Sequence, residues 1–360
     1  MSSQPAAAEP DRQPGPQLID LTVASKVAAK VAAAGALEGS YLLDDLEDDL
    51  AALIAEAEPL VAAETGCGDL PGATPRVLGR SQWADANLES MLVLIDPLLD
   101  KVETKMAQTA DRPGARLARL ASGPALGVQM GTVLGFLSRH VLGQYDLIVG
   151  GPHEVWFVGP NLVAAERRFG FVPRDFRLWV VLHELTHRAQ FEGTAWLRGH
   201  FLGMIKDLLG SLEVDARVLL SRAIDSARQP RSGNDPLPFR ILEPEQREAF
   251  DRLQAFMTVI EGHGNFVMDR IGTEVVPTQD RMRRTLRDVQ SASGPMQKFV
   301  SRLLGLDLKR RQYEEGQRFF DAVFEQGGGA AVRATFTSPE ALPTLQEVRT
   351  PQAWLDRTNP

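Results

Sequence analysis

The sequence predicts a mainly α-helical protein with one small antiparallel β-sheet. Three observations carry this expectation. Apolar residues recur at helical spacing through most of 20–325. Short runs rich in Val, Ile, Trp and Phe, separated by Gly and Pro, are confined to 145–166. Between 20 and 325 there is no sharp linker, internal repeat or low-complexity tract, so one large domain over 18–326 is expected.

Taken in order, residues 1–17 are rich in Pro, Ala, Gln and charge and read as a flexible tail. Ala-rich helices follow at 24–34 and 42–63, and the Gly and Pro residues of 66–75 break the pattern. Ser81 opens a helical region in which Trp83, Leu88, Met91 and Leu92 share a face, and the stripe continues past Pro97. Gly127, Gly131 and Gly135 lie four apart in an apolar stretch, on one helix face, which predicts close backbone packing against another helix. Three strands are expected at 145–149, 154–158 and 161–165. Pro173 and Asp175 start a helix through Gln190, and further helices are read at 196–225, 244–271, 279–290, 295–304 and 310–325. Residues 229–238 read as a loop. Gly327 to Gly329 close the last helix, and the Thr- and Pro-rich residues 327–360 read as an extended segment.

Bulk properties exclude some functions. The net charge is −8, against a nucleic-acid binder, and the basic run at Arg281, Arg283, Arg284 and Arg287 is flanked by Asp280 and Asp288, as on a solvated helix face. The lone Cys67 allows neither an intrachain disulfide nor a cysteine zinc site. No secretory signal or membrane span is legible, which points to the cytoplasm.

The chemistry concentrates in FRLWVVLHELTHRAQF, residues 176–191. On a helix, His183 and His187 stand one turn apart on one face, so both imidazoles can reach one zinc ion. Glu184 then flanks the ion and can act as general base toward its water. The apolar residues before the motif imply a buried helix, where two histidines and a glutamate are costly unless paired or metal-bound. A third ligand must come from elsewhere. Glu213, 26 residues after His187, and Glu261, in MTVIEGHGNFVMD, compete for that place. Glu261 lies beside a buried stripe, with Gly262 and Gly264 leaving room for a second helix, whereas Glu213 has Arg217 as a helical ion-pair partner. His263 sits about 200° around the helix from Glu261 and so does not share its ion. It is a candidate for substrate contact or simple hydrogen bonding, and Asn265 and Asp269 are candidates for bonds to the ligands.

These residues resemble those of bacterial zincin-like metallopeptidases of type 2, common in actinobacteria and often named as uncharacterised hydrolases or as associated with deazaflavin-coenzyme biosynthesis. The resemblance is carried by VGPNLVAAERRFG (158–170), DFRLWVVLHELTHRAQF (175–191), MTVIEGHGNFVMD (257–269) and the run Gln317 to Phe320, and covers roughly residues 80–325. It implies a zincin-like core around the HExxH helix, zinc at His183 and His187, and Glu184 as catalytic acid/base. The Glu261-Gly262-His263-Gly264 segment is similar to the one that supplies the third ligand in aminopeptidase-type zincins, which supports Glu261. The third histidine of metzincins has no counterpart here, because His200 is thirteen residues past His187.

The expected activity is therefore zinc-dependent hydrolysis of a peptide or amide bond. Tyr313, His263 and Arg217 are candidate donors to the oxyanion, and the strand at 154–158 is a candidate docking edge for an extended peptide. The alternatives are a catalytically inactive zincin fold that uses zinc for structure or partner binding, and a metal-free helical scaffold.

Overall fold

The computed structural model describes residues 18–33, 37–108, 115–151, 153–211, 243–291 and 306–359. The expectations at 1–17, Glu213, Arg217, 229–238 and 295–304, and the side chain of Tyr313, lie outside the described residues.

The chain is mainly helical. Helices α1 (Leu21–Ala32) and α2 (Leu46–Thr65) precede strand β1 (Thr74–Leu78). Helices α3 (Arg80–Gln108) and α4 (Ala115–Leu137) lead to strands β2 (Gly143–Gln144) and β3 (Glu154–Val158). Next come α5 (Gly159–Phe169), α6 (Pro173–Gly193), α7 (Leu197–Ser211), α8 (Pro244–Val275) and α9 (Gln279–Ser291). Last are α10 (Leu306–Ala334), α11 (Leu345–Arg349) and α12 (Pro351–Thr358). Among the described residues no helix is long and apolar enough to cross a membrane.

The sheet is mixed rather than antiparallel, in the order β1-β3-β2. Strand β3 pairs parallel with β1, Thr74 opposite Glu154, and antiparallel with β2, Gly143 opposite Phe157. Of the three expected strands only 154–158 forms, with Val155 to Val158 buried. Residues 161–165 are helical because Pro160 opens α5 at its first turn, where a missing N–H costs nothing, and Gly170 closes it with φ +60. At 145–149 the Asp146 carboxylate accepts the amides of Ile148, Val149 and Gly150. That local bonding replaces a strand ladder.

The C-terminal segment is not extended either. Gly328, at φ +63, breaks α10, but one more turn follows to Ala334. Thr344 and Glu347 form a capping box for α11, and Pro351 starts α12, whose Trp354 is fully buried. The Thr and Pro residues that read as extended are helix starts.

Gly127, Gly131 and Gly135 do face another helix. A Cβ on them would lie 2.5 Å from the Asp20 carbonyl oxygen, 2.2 Å from that of Ala24 and 2.6 Å from that of Ala28, so α1 lies directly on α4. Gly131→Ala therefore sets two effects in opposition. Helix propensity gains about 0.5–1 kcal/mol, while overpacking a backbone contact costs about 1–3 kcal/mol. Net destabilisation is expected in urea unfolding; a more stable variant would mean that α1 can slide away.

Helix α6 runs through the main core. Phe176, Leu178, Val180, Val181, Leu182, Leu185 and Ala189 are buried, packed with Leu50 and Ile54 of α2, Val267 of α8 and Phe319 of α10. The exposed end of α6 is tied to its neighbours by Arg174 with Glu56 at 2.7 Å and by Arg177 with Asp49 at 2.6 Å and Glu166 at 2.7 Å.

Candidate metal centre

Helical spacing and a close helix crossing build the site. His183 and His187 stand on the face of α6 that meets α8, with their Nε2 atoms 3.1 Å apart. Glu261 of α8 brings Oε2 to 3.8 Å from His183 Nε2 and 3.6 Å from His187 Nε2. The ligand atoms of the three residues lie within 4.8 Å of one another. The contacts to Glu261 are longer than hydrogen bonds. A centre about 2.0 Å from all three atoms follows from these separations, the length of a zinc–imidazole bond.

The electrostatics agree with a cation there. Burial disfavours the charged form of His187, yet the carboxylates of Glu261 and Glu184 outweigh it and hold its pKa above the ordinary histidine value. The proton that the site attracts is a stand-in for a positive ion. The geometry and the donor set, two imidazoles and a buried carboxylate, fit zinc.

Glycines allow the approach. A Cβ at Gly264 would be 3.3 Å from His187 Cε1 and 3.6 Å from His183 Cε1, so α8 offers the rings a face without side chains. Behind it, a Cβ at Gly262 would meet the Gly316 carbonyl carbon at 2.3 Å, and one at Gly316 would meet the Thr258 oxygen at 2.2 Å. Helices α8 and α10 thus cross backbone to backbone, and Glu261 is pressed toward α6.

Glu184 points to another side of α6, one on which Arg188 and Glu192 follow at four-residue steps. It is buried, and its Oε2 accepts the Tyr145 amide at 3.1 Å. Gly143 packs on the same side chain, where a Cβ would lie 2.7 Å from Cγ and 2.9 Å from Oε1. Further along, Glu192 accepts the Tyr145 hydroxyl at 3.2 Å, His153 Nδ1 lies 2.9 Å from its second oxygen, and Arg188 reaches that oxygen at 3.0 Å. Burial and the neighbouring Glu192 carboxylate push the Tyr145 pKa above the ordinary tyrosine range.

Gln190 links the two helices. Its Oε1 faces His187 Nδ1 at 2.9 Å, and its Nε2 donates to the Ile260 carbonyl at 2.9 Å and to His263 Nδ1 at 3.0 Å. His187 is thereby held with Nδ1 as donor and Nε2 toward the centre. His263 is buried between Phe320 and Phe336, with ring centroids at 5.1 and 4.8 Å, and burial together with nearby His187 lowers its pKa to about 3.

The structure thus brings together His183, His187 and Glu261, leaves Glu184 outside that cluster but near enough for its charge to act on His187, and connects His263 to His187 through Gln190. Asp269 is engaged elsewhere: it accepts from Gln279 at 3.1 Å, Gln317 and Arg283, and burial raises its pKa despite them. Asn265 is half-buried and makes no hydrogen bond to a described residue. Gly143, Tyr145 and Gln190 went unread in the sequence. Gln190 alone left a local signal, a polar residue three after His187 on a buried helix.

Residues 19–355 match the family described as zincin-like metallopeptidase. The chain belongs to that family. The crystal structure of a protein described as a "putative hydrolase with a novel fold", from Chloroflexus aurantiacus, is similar to this zincin-like chain with a TM-score of 0.67 and 31% sequence identity. The match covers 95% of this chain and 99% of the other. No curated protein matches it significantly.

Proposed function

We propose that this zincin-like protein is a zinc-dependent hydrolase of peptide or amide bonds, with His183, His187 and Glu261 as zinc ligands and Glu184 as general acid/base. The observation that carries the reading is the convergence of three ligand atoms from two helices beside a buried carboxylate that is held separately. Zinc held by His183, His187 and Glu261 would supply Lewis acidity toward a scissile carbonyl and a neighbouring water.

The chain's own residues do the rest. The Tyr145 amide fixes Glu184 Oε2 and so orients the carboxylate that would take a proton from the attacking water and pass it to the leaving amine. Gln190 keeps His187 in the tautomer that presents Nε2. Gly143 gives Glu184 the space to stand where it does.

Elemental analysis of protein purified without added metal tests the reading. About one zinc per chain is expected in the wild type, lost in His187→Ala and in Glu261→Ala. A folded wild type that neither contains zinc nor takes it up would overturn it.

A further inference from the structure

A cavity of about 140 Å³ lies beside this centre, lined by Thr65, Cys67, Gln190, Thr194, His263, Arg333 and Phe336. None of His183, His187 and Glu261 lines it. Gln190 donates to His263 Nδ1, so the ring proton of this buried histidine is on Nε2, where it meets no acceptor among the described residues. The Arg333 side chain crosses two glycines: a Cβ at Gly66 would lie 2.9 Å from its Cδ, and one at Gly329 would lie 3.1 Å from Nη1. Its guanidinium makes no ion pair or hydrogen bond among the described residues, and no carboxylate lines the cavity. Thr194 adds a hydroxyl, and Phe336 and Cys67 add apolar walls.

We propose that this cavity binds a small carboxylate anion, held by the guanidinium of the exposed Arg333, with the His263 Nε2–H as a further donor. The planar guanidinium fork matches a carboxylate in two parallel bonds. A volume of about four to five waters admits a short aliphatic tail against Phe336. No zinc ligand lines the cavity, but Gln190, which holds His187, does, so an occupant would be felt at the metal centre. An acceptor on His263 Nε2 makes Nδ1 a better acceptor from Gln190, and Gln190 also holds His187.

Calorimetric titration of the full chain with sodium propionate, at constant ionic strength, tests this. Inorganic phosphate is the second ligand, and Arg333→Gln and Thr194→Leu, both checked for folding by circular dichroism, are the variants. One saturable propionate site is expected in the wild type, at least tenfold weaker in Arg333→Gln, which removes the charge, and in Thr194→Leu, which fills the space. Phosphate is expected to bind more weakly than propionate. No propionate binding overturns the proposal, and so does phosphate binding more tightly. Equal affinity in wild type and both variants places propionate elsewhere, the zinc included, and also overturns it.

Discussion

Glu184→Gln is expected to keep about one zinc per chain and to lower hydrolysis by about 10²–10⁴-fold, the usual contribution of a positioned acid/base. The substitution is nearly isosteric. Its amide oxygen can still accept the Tyr145 N–H, so the carboxylate's hydrogen bond and packing survive. Glu184 stands apart from the three groups whose ligand atoms converge, so the metal does not depend on it. What is lost is the basic oxygen. The measurement pairs zinc content with turnover of whichever peptide or amide substrate the wild type cleaves. Unchanged turnover would remove Glu184 from the mechanism. Zinc lost together with activity would make Glu184 a ligand rather than a base.

Gly143→Ala is expected to separate activity from folding in a second way. The new methyl would sit 2.7–3.0 Å from Cγ, Oε1 and Cδ of Glu184, and all three atoms belong to a side chain that can turn aside. Turning this buried carboxylate off the Tyr145 amide leaves polar groups unsatisfied, so a destabilisation of about 1–3 kcal/mol is expected in urea unfolding. The carboxylate, however, moves by the order of an ångström from where it meets the water. A misplacement of that size costs about 10²-fold in rate. Turnover, zinc content and urea unfolding of the one variant decide the matter. Full activity would show that Glu184 works from another rotamer. Unfolding would show that the strand cannot shift either, and that the cost is structural.

What could be read in advance follows from how local each contact is. His183 and His187 announce themselves because one helical turn separates them, and Glu261 because a carboxylate in an apolar stripe demands a partner. Gly143 and Tyr145 meet Glu184 across about 40 residues of chain, and no spacing rule links a short edge strand to the fourth turn of a later helix. The parallel partner of β3 was hidden for a related reason. Thr74–Leu78 contains Pro75 and follows a Gly-rich break, so it read as a boundary; an edge strand tolerates that proline. Pro160 and Pro351 misled in the opposite sense, since proline interrupts a strand but begins a helix.

The glycine-on-glycine crossing of α8 and α10 turns an absence of atoms into a diagnostic. With Gly262 and Gly316 in contact, the gap between these helices is set by main chain alone, and so is the reach of the neighbouring Glu261 toward α6. In a relative that keeps both histidines and the glutamate but carries a side chain at either glycine, α8 must stand off by the thickness of a methyl group or be displaced along its axis. Its carboxylate then meets the imidazoles at a different span. The two glycines thus act as a gauge block for the span between the Glu261 carboxylate and the two imidazoles, and on the proposed zinc reading their presence or loss would sort sequences that share this motif by whether they can close around the ion at this distance.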